Sequence, residues 1–147
     1  MQTNRFGELG NALSLLQCVL VARRSKINPK HITWAQYDVL ELLRIRGPLM
    51  PSIISDALGA SRSSTSKVLR VLKDEQLIQQ IEGPQDRREQ TTSLTEKGRD
   101  FLASAFQSQH EAAEIAASIL TQGEQAIFAE LCHKVAVALQ NESIKAE

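Results

Sequence analysis

The chain has 147 residues, 42% of them hydrophobic and 4% aromatic, with 17 basic and 17 acidic residues and no net charge. That length suits one domain with a core of its own, and the composition excludes a disordered chain and a disulfide scaffold. No apolar run is long enough to span a bilayer and no signal peptide is seen, so the expected compartment is the cytoplasm. The neutral total hides an uneven spread: residues 1–32 hold five basic groups and one acidic, residues 99–147 three basic and seven acidic.

Phe6, Leu9, Leu13, Leu16 and Leu20 alternate steps of three and four, which predicts a first helix with a coiled-coil-like stripe. It should end before Asn28-Pro29, because the residue before proline avoids the helical region. Thr33 with Gln36 forms a capping box for a second helix, with Trp34, Tyr37, Leu40 and Leu43 inward and Gly47-Pro48 as its stop. Pro51 opens a third helix, with Ile53, Ile54, Ala57 and Leu58 as its apolar positions, and Gly59 closes it. Ser61 caps a fourth helix over 62–75, with Val68, Leu69, Val71 and Leu72 inward.

Leu77 to Ile81 reads as a strand, Gly83-Pro84 begins a hairpin, and Gln90 to Leu94 is the return strand. Thr95 caps a long helix over 95–119, with Phe101, Leu102, Ala105, Phe106, Ala112, Ala116 and Ile119 as buried candidates. Thr121 and Glu124 form a second capping box, for a last helix near 122–140 carrying Ile127, Phe128, Leu131, Val135 and Leu139. The fold expected is mainly α with a small two- to three-stranded antiparallel sheet. Residues 33–94 make a winged helix-turn-helix lobe, and 1–28 and 95–147 supply flanking dimerisation helices, all within one domain. Those flanking helices have more apolar surface than a small lobe can cover, which predicts a two-fold homodimer with reading helices about one DNA turn (~34 Å) apart.

The pattern points to duplex DNA. Ser63, Ser64, Thr65 and Ser66 put small hydroxyls at the start of the fourth helix, slim enough for the major groove. Arg62 and Arg70 suit guanine, while Lys67 and Lys73 suit phosphate. Ser61 opens a helix N-terminus that favours a phosphate. At the hairpin tip, Arg87 and Arg88 suit a narrow minor groove. Asp86 serves as a brace, preferably to Arg88 with Arg87 facing outward, though the opposite split stays open. Either cluster alone is an ordinary polar helix start or a solvated turn; the two together, at this spacing, carry the reading.

An enzyme finds no support: His31, His110 and His133 are scattered, and no metal-ligand, nucleophile or glycine-rich phosphate pattern exists. No cofactor is expected and no metal is expected. A winged helix adapted to protein partners is the other rival, opposed by the retained Arg62, Lys67, Arg70 and Arg87.

The chain resembles the MarR family of bacterial transcriptional regulators along nearly its whole length. The resemblance rests on Asp86-x-Arg88 followed by Leu94-Thr95-Glu96-Lys97-Gly98, on the stretch Ala60 to Leu69, and on Ile32 to Tyr37. It implies a homodimer on a pseudo-palindromic operator, from which a small molecule or an oxidant releases the DNA; the expected mode of action is a repressor released by a small ligand. Three departures stand out: Gln76 where glycine is usual, Thr92 where an apolar residue is usual, and a shorter link between the first two helices.

Two forms of regulation follow. A small aromatic or anionic effector would use Arg23, Arg24, His31, Trp34 and Tyr37; alternatively, Trp34 and Tyr37 are core residues and the arginines face solvent. A redox switch would use Cys18, whose place resembles that in the family's peroxide-sensing branch, with Cys132 on the last helix. Against it, the neighbours of Cys18 at helical spacing are Leu15, Val21, Ala22 and Ser14, so both thiols are expected to be buried and inert.

Overall fold

The computed structural model describes residues 7–26, 32–83, 85–86, 90–105 and 107–145. These form seven helices and two strands: α1 (Gly7–Ser25), α2 (Trp34–Arg46), α3 (Pro51–Leu58), α4 (Arg62–Asp74), β1 (Ile78–Glu82), β2 (Gln90–Leu94), α5 (Glu96–Ala105), α6 (Gln107–Ile119) and α7 (Gln122–Lys145). The chain divides into two compact units, Met1–His31 and Ile32–Glu147.

The first unit contains α1. Its expected stripe is present, but Leu9, Leu13, Leu16 and Leu20 are exposed, and no residue of the helix is buried. The helix stops at Ser25, whose hydroxyl donates to the Ala22 carbonyl at 2.8 Å. Phe6 and the Asn28-Pro29 break lie outside the described residues.

The second unit has a well-defined centre. Thr33 makes the full capping box with Gln36, so α2 begins where its sequence dictates. It buries Tyr37, Val39, Leu40 and Leu43, while Trp34 packs partly buried against the cluster. Gly47 then closes the helix at φ 79°, a left-handed value that suits glycine. Leu49 pairs with Thr92 through backbone bonds of 2.9 and 2.8 Å, so the α2–α3 link adds a third rail to the β1–β2 hairpin. The hairpin is antiparallel, in register from Ile78↔Leu94 to Glu82↔Gln90. Ile54, Leu69, Leu72, Leu77, Ile78, Leu94 and Leu102 complete the core.

Thr92, the residue unexpected in a return strand, is fully buried and accepts a hydrogen bond from Gln80 Nε2 at 3.2 Å. The hydroxyl is therefore satisfied rather than stranded. Gln76 takes the left-handed conformation that its position demands, at φ 62°.

Several inward expectations are corrected. Ile53, Leu58 and Val71 are exposed, because the short α3 turns Ile54 and Ser55 inward and α4 turns Thr65, Leu69 and Leu72. The long helix over 95–119 is two helices. The first, α5, packs on α2 and β2; α6 packs on α5 and α7, so each half serves different neighbours. Ile119 on α6 is exposed, as are Ile127, Phe128, Leu131, Val135 and Leu139 on α7. The thiols of Cys18 and Cys132 are exposed too, since they ride on these same uncovered helices. Among the described residues, no helix is long and apolar enough to cross a membrane.

Candidate nucleic-acid interface

Ser61 sits in extended backbone and accepts from the Ser64 amide at 3.0 Å, while its hydroxyl also donates to Ser64 Oγ at 2.9 Å. Both hydroxyls are thereby committed to the N-cap. The cap fixes the start of α4 and satisfies the Ser64 amide, one of the first-turn donors that have no partner within the helix. Thr65 is 4% exposed and belongs to the core, which removes it from the outward hydroxyls expected at this helix start. It shares its burial with Leu69 and Leu72 because positions 65, 69 and 72 lie on one helical face.

The opposite face is polar. Arg62, Ser63, Ser66, Lys67, Arg70 and Lys73 are all exposed, at spacings of three and four. No acidic residue interrupts them before Asp74. Arg62 Nη2 lies 3.5 Å from Asp56 Oδ1 near the end of α3, an ion pair across the turn that sequence reading missed. With both groups partly exposed, the pair orients Arg62 more than it stabilises the fold. Arg44 does not add to this cationic surface: Glu41 binds it twice, at 2.6 and 2.9 Å, and that hydrogen bonding raises the guanidinium further above its ordinary value.

The wing is anchored at the Glu82↔Gln90 pair, which brackets residues 83–89. Asp86 is exposed; Arg87 and Arg88 lie outside the described residues, so the brace and the outward arginine are not located. Of the effector positions expected from the sequence, His31 also lies outside. Arg23 and Arg24 belong to α1, in the other unit. Trp34 and Tyr37 meet edge to face, ring centres 5.5 Å apart, and Tyr37 is 3% exposed within the core. Among the described residues, no group of His, Cys, Asp or Glu is placed to hold a metal.

The Leu94-Thr95-Glu96-Lys97-Gly98 stretch forms a clasp on the end of α4. Thr95 Oγ1 donates to the Gln76 carbonyl at 2.6 Å and accepts from the Gly98 amide at 3.0 Å. The Thr95 amide donates to the Leu77 carbonyl at 3.1 Å, and Lys97 Nζ donates to the Glu75 carbonyl at 2.9 Å. A Cβ on Gly98 would stand 2.1 Å from the Leu77 oxygen, so only glycine fits. The stretch fixes the end of α4 against the hairpin.

A profile of the MarR family matches residues 32–90. The transcriptional repressor MprA of Escherichia coli (strain K12) is 37% identical over 62 residues, covering 42% of this chain and 35% of MprA. The chain spans about half, or less, of the length of the curated relatives it matches. Among solved structures, NadR in complex with 4-hydroxyphenylacetate is similar at TM-score 0.76 and 18% identity, over 92% of this chain and 96% of that one. A mutant MarR from E. coli, complexed with operator DNA, is similar at TM-score 0.60 and 22% identity, over 90% and 99%. The profile is seated on the winged lobe, the sequence relatives there are named regulators, and the fold is shared with solved MarR-family structures: residues 32–90 are a MarR-family winged-helix domain.

Proposed function

We propose that the chain is a sequence-specific duplex-DNA binder that acts as a homodimeric repressor on a pseudo-palindromic operator and lets go when a small molecule binds. The observation that carries this is the outer face of α4. It presents serine, arginine and lysine, without an acid, from a helix clamped at both ends. Ser63 and Ser66 approach base edges, Arg62 and Arg70 take guanine, Lys67 and Lys73 hold phosphate, and the capped N-terminus behind Ser61 and Ser64 holds another. Arg87 and Arg88 extend the contact into the minor groove, with Asp86 shaping their loop. MprA, named as a repressor, and the mutant MarR, solved on operator DNA, support this reading.

The dimer follows from the exposed apolar residues of α1, α6 and α7. A second copy offers matching apolar faces. Release by an aromatic or anionic effector is supported by NadR, solved with 4-hydroxyphenylacetate; Arg23, Arg24, His31, Trp34 and Tyr37 are the residues proposed to meet it. One second reading keeps the fold and the dimer: oxidation of Cys18 or Cys132, which lie on helices proposed to meet the second copy, releases DNA. Release by peroxide that persists in Cys18→Ser and in Cys132→Ser would dismiss it.

The test is selection of duplexes from a random pool, followed by titration in rising salt. A DNA reader enriches a two-fold sequence, and its log affinity falls with log salt at about −0.9 per phosphate contacted. Lys67→Glu should abolish binding on the selected duplex. Enrichment of no duplex, or unchanged binding by Lys67→Glu, rejects the proposal.

A further inference from the structure

From Ala126 to Leu139 every residue of α7 is exposed, and the helix next becomes half-buried at Gln140. There the side chain is held from two sides. Arg46 Nη2, in the last turn of α2, donates to Gln140 Oε1 at 2.5 Å. Gln140 Nε2 donates in turn to the Ala57 carbonyl, in the last turn of α3, at 3.4 Å. The last carbonyls of a helix have no partner within it, so the Gln140 amide satisfies a group that α3 cannot satisfy itself. The backbone amides that close α3 go elsewhere: Gly59 bonds to Asp56 and Ala60 to Ser55. The two partners of Gln140 are 94 and 83 residues away in sequence.

We propose that Gln140 is a positioning residue, a latch that sets the angle between α7 and the α3–α4 reading pair and so sets the half-site spacing the protein accepts. This rests on the dimeric DNA-reading function proposed above. The reasoning is mechanical. The apolar length of α7 faces a second copy and fixes its place relative to the dimer axis. The α3 helix leads through Gly59 and Ser61 straight into α4. A bond from α7 to the last turn of α3 therefore links the dimer axis to the reading helix. An amide suits the task, because one group must accept from a guanidinium and donate to a carbonyl in the same place. Leucine or glutamate at 140 keeps at most one of the two bonds.

The experiment uses the full chain and two duplexes: the one wild-type protein selects from a random pool, and the same duplex with one base pair inserted at its centre. The insertion displaces one half-site by roughly 3.4 Å and rotates it by about 35°. Wild-type protein should prefer the selected duplex by at least tenfold. Gln140→Ala should remain dimeric by sedimentation, keep its thermal midpoint within a few degrees, and lose at least fivefold of that preference. Arg46→Ala should produce the same loss, and the double variant should be no worse than either single one, since all three break one link. Preference undiminished in Gln140→Ala and Arg46→Ala overturns the latch, and so does equal weakening on both duplexes. Failure of wild-type protein to enrich any duplex overturns the DNA-reading function itself, and Lys67→Glu, which should lose both duplexes alike, separates loss of contact from loss of spacing.

Discussion

Two residues near the end of α4 show how one backbone turn is tolerated and then locked. Gln76 holds φ 62° without being glycine. A side chain in that region costs about 1–2 kcal/mol, part of which glycine would return in unfolded-state entropy. Gln76→Gly should therefore stabilise the protein by about 1 kcal/mol, read as a rise of roughly 2–4 °C in thermal midpoint. Gly98 behaves in the opposite sense. An added methyl meets backbone rather than a movable side chain. Gly98→Ala should cost at least about 1–3 kcal/mol in denaturant unfolding, and an unaltered midpoint would contradict the packing. Gln76 stands out in the sequence only because the family pattern has glycine there. The convergence of Thr95 and Lys97 on that turn was hidden, because those bonds span 19 and 22 residues.

The helices start where their caps say. Thr33, Ser61 and Thr121 each bond to the amide three residues on, and each was legible because the partners are neighbours in sequence. Ser61→Ala should cost about 1 kcal/mol and fray the first turn of α4. Operator affinity should fall with it, and preserved affinity in a destabilised variant would separate the cap from DNA contact. Arg87→Ala should weaken operator binding without changing the dimer, since position 87 falls between the residues that pair across the hairpin; unchanged affinity would reject the wing's part. The division of the 95–119 helix into α5 and α6 was not legible. Both halves have strong helical composition, and what separates them is a change of packing partner. Val71 and Leu58 misled for a related reason: apolar identity marks what can be buried, while the path of the chain selects which stripe is.

At the level of the whole molecule, the single chain leaves its longest helices uncovered. Leu131 and Val135 of α7 are exposed, as are Leu13 and Leu16 of α1. Exposed apolar surface of this extent is characteristic of an association face. If α7 forms the proposed dimer face, Leu131→Asp shifts sedimentation toward monomer and depresses operator binding, because a monomer engages one half-site only. Retention of a full dimer by this variant would move the interface away from α7. The charge pattern acts at the same scale: a neutral chain still offers a cationic face on α4, since Arg62, Lys67, Arg70 and Lys73 stand on one helix without an acid among them.

The order of helices and strands apart from the division within 95–119, the caps at Thr33, Ser61 and Thr121, the polar outer face of α4 and the resemblance to the MarR family were all determined by the sequence alone. Each depends on residues within a few positions of one another, where spacing and geometry are tied together by the helix or the strand. Tertiary structure alone decided that Thr65 is core, that Thr92 is satisfied by Gln80, that Arg62 meets Asp56 across the turn, and that Gln140 reaches back to Arg46 and Ala57. Those facts depend on how distant segments are brought side by side, and the pattern of a single segment does not carry that information.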